Sequence, residues 1–302
     1  MEPIFQCVPN FSEGRRPEVV QAIADAIAAT PGARLIDHSA DADHNRCVMT
    51  FLGPAEAIRA AALAAARVAV ARIDMRIHTG VHPRTGAIDV LPVIPLWNAT
   101  REQAIALAHA LGSDLASELA LPVYFYEWAA VPGRPAALPD VRRGGLEAFA
   151  HLPLIGAKAP DLGPAEAHPT AGIVLVGARG PLVAYNVNLD TPDVQIARAI
   201  ARRIRQERDT LPELAGVRAL GLFLASRNCA QVSMNLTRPE QSPLPAVFAF
   251  VQAEAARRGV SVRESEIIGA IPEAALGGVP PAAILWKDYK PGQILETWKA
   301  GH

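Results

Sequence analysis

The chain has 302 residues, enough for about two domains of ordinary size. Hydrophobic residues make up 50% of the sequence and charged residues 20%, which is typical of globular proteins and excludes a disordered chain. Lysine and arginine number 29 against 30 acidic residues, so the basic excess of a bulk nucleic-acid binder is missing. We therefore expect no nucleic-acid partner.

Export, membrane insertion and disulfide formation are not indicated. Residues 1–5 lack a basic segment followed by an apolar one, so no secretory signal is predicted. The most apolar stretch, residues 267–286, is broken by a glutamate and three prolines, whereas a membrane span needs about 20 uninterrupted apolar residues. The three cysteines lie far apart, at Cys7, Cys47 and Cys229, and form no CxxC pair. A soluble cytoplasmic protein is expected, with no membrane partner.

The first half of the chain alternates apolar runs, helical periodicities and turn residues. Strands are predicted at residues 4–8, 34–37, 47–52, 87–95 and 122–126, and helices at residues 17–29, 54–72 and 101–119. Pro54 fits the start of the second helix, since proline in a first helical turn costs no hydrogen bond. Residues 37–46, which are rich in polar side chains, are predicted as a loop between two strands.

The second half of the chain repeats this order. Strands are predicted at residues 181–188, 217–225, 230–236 and 260–268, and helices at residues 191–206, 245–258 and 281–286. The first of these helices is predicted to start at Thr191 and Pro192, a capping residue followed by proline. Strand-helix-strand-strand-helix-strand is the split βαβ, or ferredoxin-like, unit.

Both halves also share asparagines at matching places. Asn10 and Asn188 each end an apolar strand, and Asn45 and Asn228 each precede a later strand. Two such matches in the same order indicate a duplication. We therefore predict an α/β (α+β) fold with two related ferredoxin-like subdomains packed together. The predicted subdomains are residues 1–171 and 172–302.

Two polar segments offer candidate functional groups. Residues 37–46 combine carboxylates, imidazoles, an amide and a guanidinium, although such a run is equally typical of a solvated loop. Residues 78–89 include His78, His82 and Arg84 just before an apolar strand, where a rigid sheet would hold them. Histidine titrates near neutral pH and can act as a general base and then as a general acid. The alternative is that both histidines only satisfy nearby backbone groups.

Several other chemistries lack their motifs. Gly80 and Pro83 argue against a helix that would align His78 and His82 on one metal ion, so no metal site is expected. The sequences GxSxG, GxGxxG and GxxxxGK[ST] are absent, so a serine-hydrolase elbow and a nucleotide cofactor are not indicated. A third segment, residues 159–172, is typical of an inter-domain linker, but its small side chains would also suit a flat heterocycle in a cleft.

Five segments of the chain resemble the glutamate formimidoyltransferase family in order and spacing: residues 7–14, 43–46, 82–89, 160–164 and 186–189. The resemblance implies two related α/β subdomains, a homodimer and a folate-binding groove between the subdomains. It also implies transfer of the formimino group of N-formimino-L-glutamate to N5 of tetrahydrofolate, a step of histidine degradation. Tetrahydrofolate is then a co-substrate. Because the cyclodeaminase half of fused family members is absent, no subsequent deamination is expected.

The resemblance implies functional residues as well. The catalytic histidine of the family falls on His82. Its folate-binding segment falls on Gly163, Pro164, Ala165, Glu166, Ala167, His168, Pro169, Thr170, Ala171 and Gly172. The side chains that we expect to bind substrate are Asn10, His44, Arg46, Arg84 and Asn188. Either arginine could instead brace the loops through Asp37 or Asp43.

Two other functions stay open at this point. One is a folate-binding protein that has the fold without transferase activity. The other is a transferase on the same scaffold that takes its formyl or formimino group from another donor.

Overall fold

The computed structural model describes residues 2–81, 83–150 and 153–301. The chain divides into two compact units, the first ending at Gly180 and the second beginning at Pro181. No helix in the described ranges is long and apolar enough to cross a membrane.

The first unit is a mixed sheet with helices. Its elements are β1 (Phe5–Cys7), β2 (Asn10–Phe11), α1 (Pro17–Ala28), β3 (Arg34–Asp41), β4 (Arg46–Gly53), α2 (Ala55–Arg72), β5 (Ile88–Pro95), α3 (Arg101–Leu119), β6 (Val123–Glu127), α4 (Leu138–Val141) and β7 (Val174–Ala178). β1 and β2 are two pieces of one strand, because both lie between β4 and β5 and are antiparallel to them. β3 pairs with the other side of β4. These strands with α1 and α2 form the predicted split βαβ unit.

An extension adds two further strands to this unit. β7 is parallel to β5 on one side and to β6 on the other. β7 therefore belongs to the sheet of the first unit, and this unit extends past residue 171, where the sequence places the subdomain boundary.

Local sequence explains where the long helices begin. Pro17 starts α1, and the helix buries Val20, Ile23 and Ile27 against the sheet. α3 begins after Thr100, whose hydroxyl accepts a hydrogen bond from the amide of Gln103 while the Gln103 side chain binds back to the Thr100 amide. This reciprocal capping box satisfies two backbone donors that a helix start leaves open.

The second unit is a four-stranded antiparallel sheet with two long helices. Its elements are β8 (Val183–Leu189), α5 (Val194–Glu207), β9 (Val217–Leu224), β10 (Cys229–Leu236), α6 (Leu244–Ala256) and β11 (Val262–Ile268). The strands lie in the order β11, β8, β10, β9. The four-stranded part of the first unit has the same connectivity, since β5, the β1–β2 strand, β4 and β3 follow one another in the same way. The prediction of two related ferredoxin-like units is confirmed.

The matching asparagines have matching structural roles. Asn45 and Asn228 both have a left-handed backbone conformation, with φ of 47° and 46°, directly before β4 and β10. Asparagine tolerates this conformation better than most residues, which suits it to the tight turn of a hairpin. Asn10 lies opposite Val48 on β4, and Asn188 lies opposite Gln231 on β10. The hairpin and the asparagine beside it are therefore repeated in both units.

Three differences between the predicted elements and the structure have a clear physical cause or change the type of element. Residues 37–41 are part of β3, because an edge strand with an exposed face accommodates alternating polar side chains. α5 begins at Val194 with Asp193 as its cap, the Asp193 carboxylate accepting a hydrogen bond from the Gln195 amide at 2.8 Å. The helix predicted near residues 281–286 is a short 3₁₀ turn, Pro281–Ile284.

Candidate active site

A small polar cavity lies in the first unit; it is partly open to solvent and encloses about 10 Å³, the space of about one water molecule. Its lining residues are Ser12, His44, Asn45, Arg46, His78, Pro83, Arg84 and Asp89. Both polar segments of the sequence, residues 37–46 and residues 78–89, therefore contribute to one site. These residues follow β2, lie in the β3–β4 turn and at the start of β4, and lie just before β5 and at its start, so the sheet holds them at its strand ends.

The Asn45 side chain ties the two segments together. Its Nδ2 donates a hydrogen bond to the Thr79 carbonyl at 2.9 Å, and its Oδ1 accepts one from the Gly14 amide at 3.0 Å. Gly80 packs so closely here that a Cβ atom would lie 2.3 Å from the His44 carbonyl oxygen. Only glycine fits at that position, which accounts for Gly80 in physical terms.

A buried carboxylate, Asp89, organises the cations of the site. Asp89 is 1% exposed, and its Oδ1 accepts hydrogen bonds from the Thr85 amide and hydroxyl, both at 2.9 Å. Its Oδ2 faces the Nη1 atoms of Arg46 at 3.5 Å and Arg142 at 3.3 Å. Burial lowers the pKa of Arg46 to about 10, although Asp89 opposes this shift. Arg46 therefore remains a cation at neutral pH.

Asn10 holds the Arg46 guanidinium from the other side. The Asn10 Oδ1 accepts hydrogen bonds from Arg46 Nε, at 2.9 Å, and from Arg46 Nη2. The Asn10 Nδ2 donates to the Val8 carbonyl at 2.9 Å, which fixes the orientation of the amide. In this structure Asn10 thus positions an arginine of the site.

Arg84 uses only some of its hydrogen-bond donors within the protein. Its Nη2 donates to the His78 carbonyl at 3.2 Å and pairs with Glu147 at 3.3 Å. Its Nε is buried and has no hydrogen-bond partner within the described ranges. The Nε–H donor of the Arg84 guanidinium therefore remains without a protein partner in the lining of the cavity.

The two described histidines of the lining are held in different ways. The His44 backbone amide donates a hydrogen bond to the Asp41 carboxylate at 2.7 Å. His78 Nε2 lies 2.9 Å from the Asn45 carbonyl oxygen. Burial lowers the pKa of His78, and the nearby Arg84 lowers it further, whereas the contact with Asn45 raises it. His78 is therefore neutral at pH 7.

His82, the predicted catalytic residue, lies outside the described residues. Its neighbours in the chain are described. Pro83 lines the cavity, and the Val81 amide donates to the Asp43 carbonyl at 3.2 Å.

The predicted folate-binding segment, residues 163–172, is not part of this lining, but its C-terminal end meets it. The Ala171 carbonyl accepts a hydrogen bond from the Ala87 amide at 2.8 Å. A Cβ atom on Gly172, whose φ is +73°, would lie 2.5 Å from the carbonyl oxygen of Thr85, the residue that binds Asp89. The predicted folate-binding segment therefore ends beside Thr85, which holds Asp89 in the lining of the cavity.

The rest of this segment is largely exposed, with a fixed backbone. Gly163 has a φ of +87°, and a Cβ atom there would lie 2.4 Å from the Leu121 carbonyl oxygen. The His168 Nδ1 accepts hydrogen bonds from the amides of Thr170, at 3.3 Å, and Ala171, at 3.0 Å. These contacts fix the backbone at both ends of the segment.

Asn188 belongs to the second unit and lies in a different environment. It is fully buried, and its Nδ2 donates to Glu264 at 3.1 Å and to Glu266 at 3.0 Å. Its Oδ1 accepts from Gln231 at 2.9 Å, and Arg227 pairs with Glu266. Here the amide donors of asparagine hold carboxylates.

From the sequence, no role was assigned to Asp89 or to Arg142, which pair with each other. Asp89 lies between the buried residues Ile88 and Val90, and an acid in a buried strand requires a cation nearby. That pattern could have identified Asp89. Arg142 comes from 53 positions further along the chain, and no local pattern indicates it. In the described part of the chain, no group of three or more His, Cys, Asp or Glu side chains could share a metal ion.

Two family models cover most of the chain. The N-terminal subdomain of the formiminotransferase domain matches residues 4–179, and the formiminotransferase domain matches residues 184–280. The chain belongs to the formiminotransferase family. This formiminotransferase chain divides at the same place in sequence as its two compact units.

Relatives of this formiminotransferase include stand-alone and fused proteins. A glutamate formimidoyltransferase of Streptococcus pyogenes serotype M1 is 38% identical over 302 residues, all of both chains. A glutamate formimidoyltransferase of Thermoplasma acidophilum is 39% identical over 295 residues, covering 97% of this chain and 96% of the relative. A formimidoyltransferase-cyclodeaminase of Gallus gallus is 40% identical over 279 residues, covering 91% of this chain but 51% of the relative. The chain thus spans about half the length of the fused relative.

Proposed function

We propose that the chain is a glutamate formimidoyltransferase, which transfers the formimino group of N-formimino-L-glutamate to N5 of tetrahydrofolate and releases L-glutamate. The observation that carries this proposal is the cationic cavity of a formiminotransferase-family chain, lined by Arg46 and Arg84. Its similarity over full length to two glutamate formimidoyltransferases supports the same reaction. The reaction belongs to histidine degradation.

The donor is a dicarboxylate, and the cavity supplies groups that bind carboxylates. Arg84 offers its buried Nε–H, and guanidinium groups form strong charge-assisted hydrogen bonds with carboxylates. Asp89 and Asn10 fix the orientation of Arg46, so little side-chain freedom is lost on binding. We assign Arg84 to direct contact with a donor carboxylate, and Arg46 to the positive field of the cavity.

His82 is proposed as the proton shuttle. As N5 of tetrahydrofolate attacks the amidine carbon, N5 must lose a proton, and the glutamate nitrogen must gain one before its bond to that carbon breaks. One histidine can accept the first proton and donate the second if it lies within about 3 Å of each nitrogen. Such proton transfer typically contributes about 10² to 10⁴ in rate. Holding both substrates in place supplies the other large contribution.

Gly163 to Gly172 are proposed to bind the folate. The glycines at both ends have left-handed backbone conformations and no room for a Cβ atom, while the residues between them carry small or exposed side chains. A flat pterin ring can lie against such a backbone. The packing of Gly172 against Thr85 supports a folate close to the cavity.

A turnover assay tests the proposal. Purified protein is mixed with tetrahydrofolate and N-formimino-L-glutamate, and the product is converted by acid to the strongly absorbing methenyl form. The wild-type protein is expected to turn over, and His82→Ala is expected to lose at least about 10²-fold in kcat. Absence of turnover in the wild type, with folate still bound, would favour a folate-binding protein or another donor. Absence of both would overturn the proposal.

Quaternary structure and location follow from the same assignment. We propose a cytoplasmic homodimer, as the family resemblance implies. Light scattering coupled to size-exclusion chromatography tests the dimer, for which a mass of twice 32.0 kDa is expected.

A further inference from the structure

His78 is held in one tautomer by its contact with the backbone. Its Nε2 lies 2.9 Å from the carbonyl oxygen of Asn45, and a carbonyl oxygen can only accept a hydrogen bond. The Nε2 atom must therefore carry the hydrogen. In a neutral imidazole the other nitrogen, Nδ1, then presents a lone pair and acts as an acceptor.

This acceptor has no partner. His78 Nδ1 is buried, and within the described ranges no donor lies in hydrogen-bonding distance of it. The same is true of the Nε–H donor of Arg84, and both side chains line the same cavity. Buried polar atoms in folded proteins are almost always paired with protein groups, ordered water or a ligand, so this acceptor and this donor are available to a ligand that brings an N–H group and a carboxylate.

We propose that His78 Nδ1 accepts a hydrogen bond from the terminal N–H of the donor's formimino group while Arg84 binds a donor carboxylate. His78 is then a specificity-determining residue that selects a formimino group over a formyl group. This inference rests on the proposed function, since it concerns the donor of that reaction.

The selectivity follows from one atom. N-formyl-L-glutamate has nearly the same shape as N-formimino-L-glutamate, but an oxygen replaces the terminal N–H group. That oxygen carries lone pairs and cannot donate, so it would meet the lone pair of His78 Nδ1 without a hydrogen bond. A site built to bind an N–H group rejects an analogue that lacks it, because a buried polar group is then left unpaired. The lowered pKa of His78 supports this role, since a protonated ring would favour the formyl oxygen instead.

Two substitutions separate the nitrogen atoms of His78. His78→Gln places an amide nitrogen where Nε2 was, so the bond to Asn45 is kept and the Nδ1 acceptor is lost. His78→Asn places an amide oxygen near the position of Nδ1, so the acceptor is kept and the bond to Asn45 is lost. His109→Gln is the matched control, because His109 Nε2 makes the same kind of bond, at 2.9 Å to the Ala129 carbonyl, and does not line the cavity.

The experiment measures KM for N-formimino-L-glutamate and the inhibition constant of N-formyl-L-glutamate for each protein. For His78→Gln we expect the preference for the formimino ligand to fall about tenfold, the effect of losing one hydrogen bond. His78→Asn is expected to keep more of that preference than His78→Gln, and His109→Gln is expected to keep all of it. Equal weakening of both ligands in His78→Gln would overturn the inference and leave His78 a structural residue.

Direct binding keeps this test independent of turnover. If the wild-type protein shows no turnover, the proposed function fails. Calorimetric titration with the two ligands still decides the inference, since equal affinities for formimino and formyl ligands in the wild-type protein would contradict it. If turnover is present and the preference is unchanged in His78→Gln, the inference alone fails.

Discussion

Asn10 in the first unit and Asn188 in the second unit occupy equivalent positions in their sheets, yet they bind groups of opposite charge. The Oδ1 of Asn10 accepts hydrogen bonds from the guanidinium of Arg46. The Nδ2 of Asn188 donates hydrogen bonds to the carboxylates of Glu264 and Glu266. An amide can serve both purposes because it carries a donor and an acceptor. The duplicated fold thus supports a cationic cavity in one unit and a carboxylate cluster in the other.

Removing the buried carboxylate of the first unit is expected to have the largest effect. In Asp89→Asn the side-chain oxygen can still bind Thr85, but an NH₂ group then faces the guanidiniums of Arg46 and Arg142. A buried cation without its counter-ion costs about 3–5 kcal/mol, so the free energy of unfolding at pH 7 should fall by that amount. Urea denaturation measures the change.

The control for this variant is a carboxylate at the surface. Asp140 pairs with Arg143, and both side chains are at least half exposed. Asp140→Asn should change the free energy of unfolding by less than about 1 kcal/mol. If Asp89→Asn also lowered the free energy of unfolding by less than about 1 kcal/mol, Asp89 would not stabilise the cations of the cavity.

Replacing Asn10 or Asn188 with aspartate, each in a separate variant, tests whether the two asparagines bind groups of opposite charge. Asn188→Asp removes the N–H donors to Glu264 and Glu266 and adds a third carboxylate beside them. We expect a loss of about 2–3 kcal/mol in the free energy of unfolding at pH 7. Asn10→Asp keeps an acceptor for Arg46 and should cost less.

The pH dependence of this exchange has a definite sign. Like charges raise the pKa of the carboxyls in the Asn188→Asp protein, so the penalty is present above their ordinary pKa and shrinks as the pH falls and they become protonated. Unfolding of the Asn188→Asp and Asn10→Asp proteins at pH 7 and pH 4 measures it. Equal losses for both variants at pH 7 would contradict the charge difference between the units.

The smallest effect is expected on replacing Lys287, which pairs with Glu264 of the carboxylate cluster. Burial alone would raise the pKa of Glu264, but hydrogen bonds from Asn188 and Lys287 outweigh it and leave the pKa lowered. A lowered pKa stabilises the fold above the ordinary pKa of 4.5, and this contribution is lost as the pH falls through the lowered value. Lys287→Met should cost less than about 1 kcal/mol at pH 7, and this cost should disappear once Glu264 is protonated. An equal cost at pH 3 and pH 7 would exclude the ion pair as its cause.

The parts of the fold that local patterns specify could be predicted from the sequence. The limits of α3 were predicted to the residue, because its start depends on a capping box formed by Thr100 and Gln103, which are close in the sequence. β7 was not predicted as a strand. Its five residues are buried, and its parallel pairing with β5 and β6 depends on distant segments. A short apolar run does not by itself distinguish a buried strand from part of a buried helix, and it does not indicate which strands it pairs with.

The same limit applies to the candidate site. The run of histidines and arginine before β5 identified His78 and Arg84 as candidates, because polar residues at a strand end stand out locally. The prediction that Asn188 binds substrate rests on its match with Asn10, and that match is one of backbone position. The side chains around it, such as Glu266 on another strand, decide what an asparagine binds.

In the proposed function, the first unit holds the dicarboxylate donor, and the carboxylate cluster of the second unit does not. Arg84→Gln and Arg227→Gln remove one arginine from each unit, and the KM for N-formimino-L-glutamate in the turnover assay compares them. We expect KM to rise roughly ten- to a hundredfold in Arg84→Gln, because a charge-assisted hydrogen bond to the donor is lost, and to stay within about twofold of the wild-type value in Arg227→Gln. An unchanged KM in Arg84→Gln, or an equal rise in both proteins, would contradict the account.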